Sequence, residues 1–463
     1  MKKHLPLLLL FLSAVFTWFI PHSEQLTPEA WHLFVIFIFS VIAVILNILP
    51  IITASLFALA FSLLTNALTP KAAFAGFGED FILLIVMAFL IARGVIKSGL
   101  GKRIAFLIIE RFGKTSLGLA YSLIAADLLI APAFPSNTAR SGVLFPLVNS
   151  LAHDSDSKVA DGTRKKLGAY LMMSSMAGLT LSSALWLSAM AANPVGVAIA
   201  KEFGVVISYG SWFLGAIMPI SILFILIPLL LYKIYPPQIK ATPDAPAIAR
   251  EALNKMGRVG KNEWIMGFIF LSMVSLWALS GALGINKTAV AALGLALLMA
   301  ADIFTIEDMK HEGLALETFV WFAILYSMSI QLGELGFMSY LGGAISHAIG
   351  GLSWQSTYLL LVLLYVLIHY FFVSQSAHML ALFGLFLEVG IHAGVPGELL
   401  ALMLLFATNF NAIITPQGSS ANVIYIGSGY ITPLEVYRIG GAVTLLNTFV
   451  FLSIGTFWVL FLF

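Results

Sequence analysis

Apolar runs of membrane-spanning length recur from one end of this chain to the other, at residues 5–20, 31–46, 81–96, 212–231, 264–283 and 359–373. A segment of that length and polarity crosses a bilayer only as a helix or as part of a closed barrel, and these runs lack the alternation of barrel strands. Of the 463 residues 60% are hydrophobic and only 10% charged, too few charges to cover a soluble protein of this size. The expected fold is an all-α polytopic membrane protein. Lys and Arg cluster at residues 97–114, 158–166 and 233–261, which the positive-inside rule makes cytoplasmic. With Lys2 and Lys3 inside as well, all but five of the 24 basic residues fall on that side. Lys71, Lys201 and Lys287 fall outside, and Arg93 and Arg140 lie at membrane depth. This asymmetry predicts an odd number of crossings, about 11, with the C-terminus outside. The basic, apolar start lacks a small-residue cleavage site, so it reads as an uncleaved first helix, and no transit segment precedes it. A bacterial cytoplasmic (inner) membrane is the expected location. There is no cysteine, which excludes disulfides, thiolate metal sites and cysteine nucleophiles.

Two short polar sequences interrupt this apolar background. Ser136-Asn137-Thr138-Ala139-Arg140 and Ser374-Gln375-Ser376-Ala377-His378 share one order of residue types and lie 238 residues apart. Glu79-Asp80-Phe81 and Glu317-Thr318-Phe319 keep the same spacing, and Leu181-Ser182-Ser183-Ala184 matches Gly418-Ser419-Ser420-Ala421 at 237. One constant offset predicts an internal repeat. The polar stretch 235–262 divides the copies and is cytoplasmic, so the second copy starts inside and the first outside, an inverted-topology repeat. Each copy is expected to contain full helices, then an interfacial piece (97–114, 342–355), then a re-entrant helical hairpin turning at the polar sequence (117–149, 357–389). A helix broken at Ser-Ser-Ala and a last span follow. Pro132, Pro135 and Pro146 fix backbone angles around the first tip and argue against one straight helix there. The expected divisions are 1–116, 117–234, 235–262 (cytoplasmic linker), 263–356 and 357–463.

Polar, irregular backbone at membrane depth is tolerated where it lines a cavity. Helix N-termini at a hairpin tip or break carry unpaired N–H groups and about half a positive charge each. Ser136, Asn137 and Thr138 on one tip, with Ser374, Gln375 and Ser376 on the other, add donors without fixed charge. Two such tips facing each other near the midplane would suit a substrate with two carboxylates. Carbonyls freed at the same breaks could coordinate a small cation.

These motifs resemble the divalent anion:sodium symporter family, whose signature is a Ser-Asn-Thr at each of two hairpin tips. Ser136-Asn137-Thr138 matches in full and Ser374-Gln375-Ser376 in relaxed form. The phrases from Pro135 to Arg140 and from His369 to His378 look most like the 2-oxoglutarate/malate translocator and citrate/succinate antiporter branch. The resemblance implies a homodimer in the lipid bilayer, an elevator-type movement of residues 117–234 and 357–463 against a scaffold (1–116, 263–356), and no cofactor. It also implies substrate contact by both tips and by Ser182, Ser183, Ser419 and Ser420. Sodium-coupled members carry a Pro-Pro-Asn type sequence at the breaks and Asn in the second tip, and this chain has neither. The expected function is therefore sodium-independent exchange of dicarboxylates (2-oxoglutarate, malate, succinate type) or citrate. Arg140 and His378, each four residues past the first Ser of its tip, would supply the charge compensation that sodium supplies elsewhere. Arg140 alternatively pairs with Asp127 on the other hairpin arm, and His378 alternatively serves packing.

Sodium-coupled symport is the alternative function, with Asn137, Gly178 and Gln375 as possible sodium ligands, and an anion channel is a further one. No phosphate-loop spacing, nucleic-acid motif or catalytic Ser–His arrangement is present, so neither an ATP-driven pump nor an enzyme is expected. Asn193-Pro194 reads as ending the first broken helix. Asn409 and Asn411 read as lining the site or satisfying freed carbonyls, Glu388 and His392 as near-surface groups, and Trp186 and Trp354 as anchors.

Overall fold

A computed structural model describes residues 5–348 and 351–463; Lys2, Lys3 and part of the 342–355 stretch lie outside this set. Among the described residues the chain is helical with no strand, apart from one isolated bridge between Thr115 and Ala241. Among the described residues seven helices are long and apolar enough to cross a bilayer, and four shorter ones are apolar. The chain is thus a multi-pass α-helical protein.

The repeat is visible in the helix boundaries. In the first copy a leading arm, Ser116–Ile130, runs into a 3-10 turn, Ala131–Ala133, and returns as Asn137–Asp154. In the second copy the same parts are Trp354–Ile368, His369–Phe371 and Gln375–His392, each displaced by 238 residues. Pro132 sits in the first turn, and Ser136 and Ser374 hold extended backbone angles that end the turn and start the returning arm. The first expected interfacial piece holds the helix Leu100–Phe112; of the second, residues 342–348 end the helix Phe337–Ala348, while Trp354 and Gln355 already belong to the second hairpin.

Past the hairpins the register changes. Thirteen residues join Asp154 to the helix Gly168–Leu185, whereas four join His392 to Gly397–Phe410, so the offset falls by nine to 229. The Ser-Ser-Ala match is therefore corrected. Ser182 and Ser183 close the C-terminal end of an intact helix, and the chain breaks only at Trp186. Ser419, by contrast, caps the N-terminus of Ser420–Gly427. One serine pair stands at a carbonyl end and the other at an amide end, and they are not repeat mates.

The chain forms two compact units. One comprises the chain up to Val86, Pro194–Ile207 and Gly313–Leu405; the other comprises Met87–Asn193, Ser208–Glu312 and Phe406–Phe463. These units divide the chain at other points than the expected divisions.

The first unit holds the second hairpin. Phe34 stacks on Phe337 at 4.3 Å, and Gly76 donates its N–H to Ser327 Oγ at 2.8 Å. A Cβ at Gly76 would lie 2.3 Å from the Ala323 carbonyl oxygen, so only glycine permits that approach. Glu388, expected near the surface, is buried: it accepts from Ser339 at 2.8 Å and lies 3.1 Å from His392.

The second unit holds the first hairpin and the stretch 235–262. That stretch is no free tether. Lys240 accepts from the Ser116 N–H (3.0 Å), and Thr242 donates its N–H to the Lys114 carbonyl (2.9 Å). Its helix Ala245–Met256 lies against Leu100–Phe112, where Arg250 pairs with Glu110 at 2.7 Å. Arg103 adds a two-pronged bond to Glu263 at 2.6 and 3.0 Å, the geometry that makes an arginine–carboxylate contact strong.

Candidate functional site

The first tip is built from the turn outward. The 3-10 turn stops at Phe134, Ser136 Oγ accepts from Ala139 N–H (3.3 Å), and the arm that follows presents its N-terminus at Ser136, Asn137 and Thr138. The broken helix reaches the same place. After Leu185 the chain passes through Trp186, a short turn at Leu187–Ala189 and an extended Met190, and Ala191 N–H binds the Pro135 carbonyl at 2.9 Å.

Behind the tip lies a buried ion pair. Arg140 is 0% and Asp127 1% exposed, and Nε sits 3.2 Å from Oδ1. The guanidinium also donates to Asn137 Oδ1 and to the carbonyls of Ala189 (3.0 Å) and Leu179 (3.5 Å). Asp127 accepts from Ser182 Oγ as well. The pairing weighed as an alternative in the sequence is thus formed. Arg140 is a strut between hairpin, tip and break, with its charge balanced by Asp127. Ser183 bonds back to the Leu179 carbonyl. Gly178 is packed on Ile124, and its carbonyl accepts from Ser182 Oγ at 3.3 Å. A cation at the first tip would compete with the guanidinium for Asn137 Oδ1.

Asn193 does more than end the first broken helix. It stands in the first turn of Ala192–Glu202 and donates Nδ2 to the carbonyls of Ser183 (3.0 Å) and Trp186 (3.4 Å). Asn422 does the same at the second break, to Ala412 (2.8 Å) and Thr415 (3.0 Å). The two asparagines are 229 residues apart, the shifted register; that spacing was the signal that the Ser-Ser-Ala match obscured. Asn409 Nδ2 donates to Asn193 Oδ1 at 2.9 Å.

The second break meets the first tip. Ser419 caps Ser420–Gly427, and Thr138 Oγ1 lies 3.1 Å from Ser420 Oγ. Two helix N-termini, those of Asn137–Asp154 and Ser420–Gly427, therefore converge on one pair of hydroxyls. Ser420 is exposed and Thr138 half-buried. Aligned amides and positive helix ends at one point form a ready anion site.

Around the second break the polar lining is deep. Asn411 Nδ2 and Oδ1, Thr415 Oγ1, Thr444 Oγ1 and Asn447 Oδ1 are buried without a hydrogen-bond partner among the described residues. Thr444 and Asn447 lie on Gly441–Val450, a helix bracketed by two π-helical turns, Val436–Gly440 and Phe451–Gly455. Such turns re-aim side chains and are frequent at functional sites. Sequence reading missed both residues, since a π turn leaves no periodic mark.

The second tip has the same local build. Ser374 Oγ accepts from Ala377 N–H (3.4 Å), Gln375 is buried and Ser376 half-buried. His378 is fully buried among the rings of Tyr365 (4.2 Å), His369 (4.9 Å) and Phe372 (4.9 Å). Tyr365 is the repeat mate of Asp127, as His378 is of Arg140. An aromatic pair thus stands where the first tip has an ion pair. Trp186 bonds the Leu128 carbonyl at 2.8 Å and stacks on Phe213.

The chain matches the sodium:sulfate symporter transmembrane region over residues 1–463. It is 40% identical over 457 residues to dicarboxylate transporter 1, chloroplastic, of Spinacia oleracea, spanning 98% of this chain and 80% of that one. It is 31% identical to the citrate/succinate antiporter of Escherichia coli (strain K12), over 94% of each. Among solved structures it is similar to the YdaH transporter of Alcanivorax borkumensis, with a TM-score of 0.59 over 88% of this chain and 89% of that one. At 14% identity that likeness is one of fold.

Proposed function

Because the chain belongs to the sodium:sulfate symporter family, we propose that it is a secondary carrier exchanging dicarboxylates, or citrate, across a bacterial cytoplasmic membrane without sodium. The observation that carries this reading is the convergence of two helix N-termini at Thr138 and Ser420. One substrate carboxylate is assigned there, with Ser136, Asn137 and Ser419 around it. Ser374, Gln375 and Ser376 are proposed as further substrate contacts on the strength of the repeat, which gives that tip the same cap. Buried polar atoms left over at Asn411, Thr444 and Asn447 suit a cavity that holds water or a polar ligand. A dimer of about 11 spans per chain with an elevator movement belongs to the same proposal, carried by the family.

Asp127 balances the charge of Arg140, so the ion pair adds no charge that travels with the substrate. Net uptake of a dianion would then move two negative charges per cycle, each costing about 2.3 kcal/mol per 100 mV of membrane potential. Swapping one dianion for another moves none. The guanidinium on Asn137 Oδ1 further disfavours a sodium ion at that tip.

The test is counterflow of labelled 2-oxoglutarate and succinate in proteoliposomes, with and without sodium. Trans-stimulated uptake that ignores sodium is expected. Uptake into substrate-free vesicles that requires a sodium gradient would establish symport, and unsaturable flux would establish a channel.

A further inference from the structure

We infer that Asp127 sets the charge class of anion the carrier accepts, acting through Arg140 as a specificity-determining residue that never touches substrate. This rests on the carrier reading above. The pair is wholly buried, so dissolved salt screens an imbalance between them little, and it is felt by anything bound nearby. Arg140 carries that influence to the site. Its guanidinium reaches Asn137 at the tip and the Ala189 carbonyl at the break, while Asp127 stays one layer back, held by Ser182.

The repeat shows the carboxylate to be a device of the first tip alone. The second tip has Tyr365 in the matching place, against His378, so it carries no fixed ion pair. With Asp127 present, the formal charge of the Arg140–Asp127 layer is zero. A zero-charge layer leaves binding to helix ends and hydroxyls, which are adequate for two carboxylates. Unmasking Arg140 would add one positive charge and reward each further negative charge on the substrate.

Three variants set the charge of the layer: Asp127→Asn (plus one), Asp127→Asn/Arg140→Gln (zero) and Arg140→Gln, where the buried carboxyl takes up a proton and the layer stays at zero. The readout is the ratio of kcat/KM for citrate to that for succinate, in sodium-free exchange at a pH where citrate is a trianion. A unit charge within about 10 Å at an effective dielectric near 20 changes affinity about tenfold for each added negative charge. Asp127→Asn should therefore raise the ratio about tenfold while lowering KM for both anions. Arg140→Gln should leave the ratio within a few-fold of wild type, its lone buried carboxyl being protonated. The neutral double variant should return it to within a few-fold of wild type, which a merely structural role for Asp127 does not predict. If Asp127→Asn fails to fold, Asp127→Ser against the double variant makes the same comparison. A ratio that stays flat across the variants, with all rates falling alike, overturns the inference. A wild-type protein that exchanges no carboxylate overturns the underlying function instead.

Discussion

Asn193 and Asn422 make one and the same clamp: each donates its carboxamide to the carbonyls ten and seven residues before it. A broken helix frees carbonyls that nothing else in a bilayer can satisfy, and the first residues of the following helix supply the donor. Asn193 additionally accepts from Asn409. Replacing either by Ala leaves buried carbonyls unpaired, at about 1–3 kcal/mol. Asn193→Ala should destabilise more than Asn422→Ala, because it also removes an acceptor of the Asn409 carboxamide. Thermal unfolding of the purified carrier in detergent measures both.

The Thr138–Ser420 contact predicts a binding defect with little loss of stability. Thr138→Val keeps the shape and removes the hydroxyl. A hydrogen bond to a charged group is worth about 1.5–3 kcal/mol, so KM for a dicarboxylate should rise roughly tenfold to a hundredfold. Initial rates of exchange check this, and an unchanged KM would remove Thr138 from the site.

Gly440 controls the second break from outside. A Cβ there would sit 2.1 Å from the Ile413 carbonyl oxygen, whereas one at Gly441 meets nothing within 4 Å. Gly440→Ala should cost about 1–3 kcal/mol and impair exchange, with Gly441→Ala as the harmless neighbour. Equal melting temperatures for the two variants would contradict this packing.

Outside the membrane-spanning segments, Asp308 is held down to about 2, chiefly by Lys97 Nζ at 2.6 Å and then by Thr305. Its carboxyl ionises far more readily folded than unfolded. The stability it adds is present above the unfolded value near 4 and disappears as pH falls towards 2. Melting temperature measured from pH 5 down to 2 should fall, and Lys97→Met should flatten part of that slope.

The hairpins were legible because the polar tips, the prolines and the arm lengths all repeat at one spacing. The breaks are hidden because Ser182-Ser183 and Ser419-Ser420 match as text at nearly that spacing, while the longer loop after Asp154 moves the true register by nine. Only the asparagines carry it. Arg140 and Asp127 were visible as a possible pair, yet pairing depends on how the 3-10 turn at Ala131–Ala133 folds one arm against the other. The reach of Arg140 to Ala189 depends on where a helix stops, which composition does not tell. Thr444 and Asn447 lay hidden in an apolar last span.

The chain has no cysteine, so a single introduced thiol reports on one position. The most direct measurement is the rate at which a charged maleimide labels a Ser420→Cys carrier in sodium-free vesicles. A dicarboxylate held where the two helix N-termini meet should slow labelling at concentrations near its exchange KM, while an equal concentration of a monocarboxylate should not. Labelling that proceeds equally fast with and without saturating 2-oxoglutarate, succinate or citrate would contradict binding at Thr138 and Ser420.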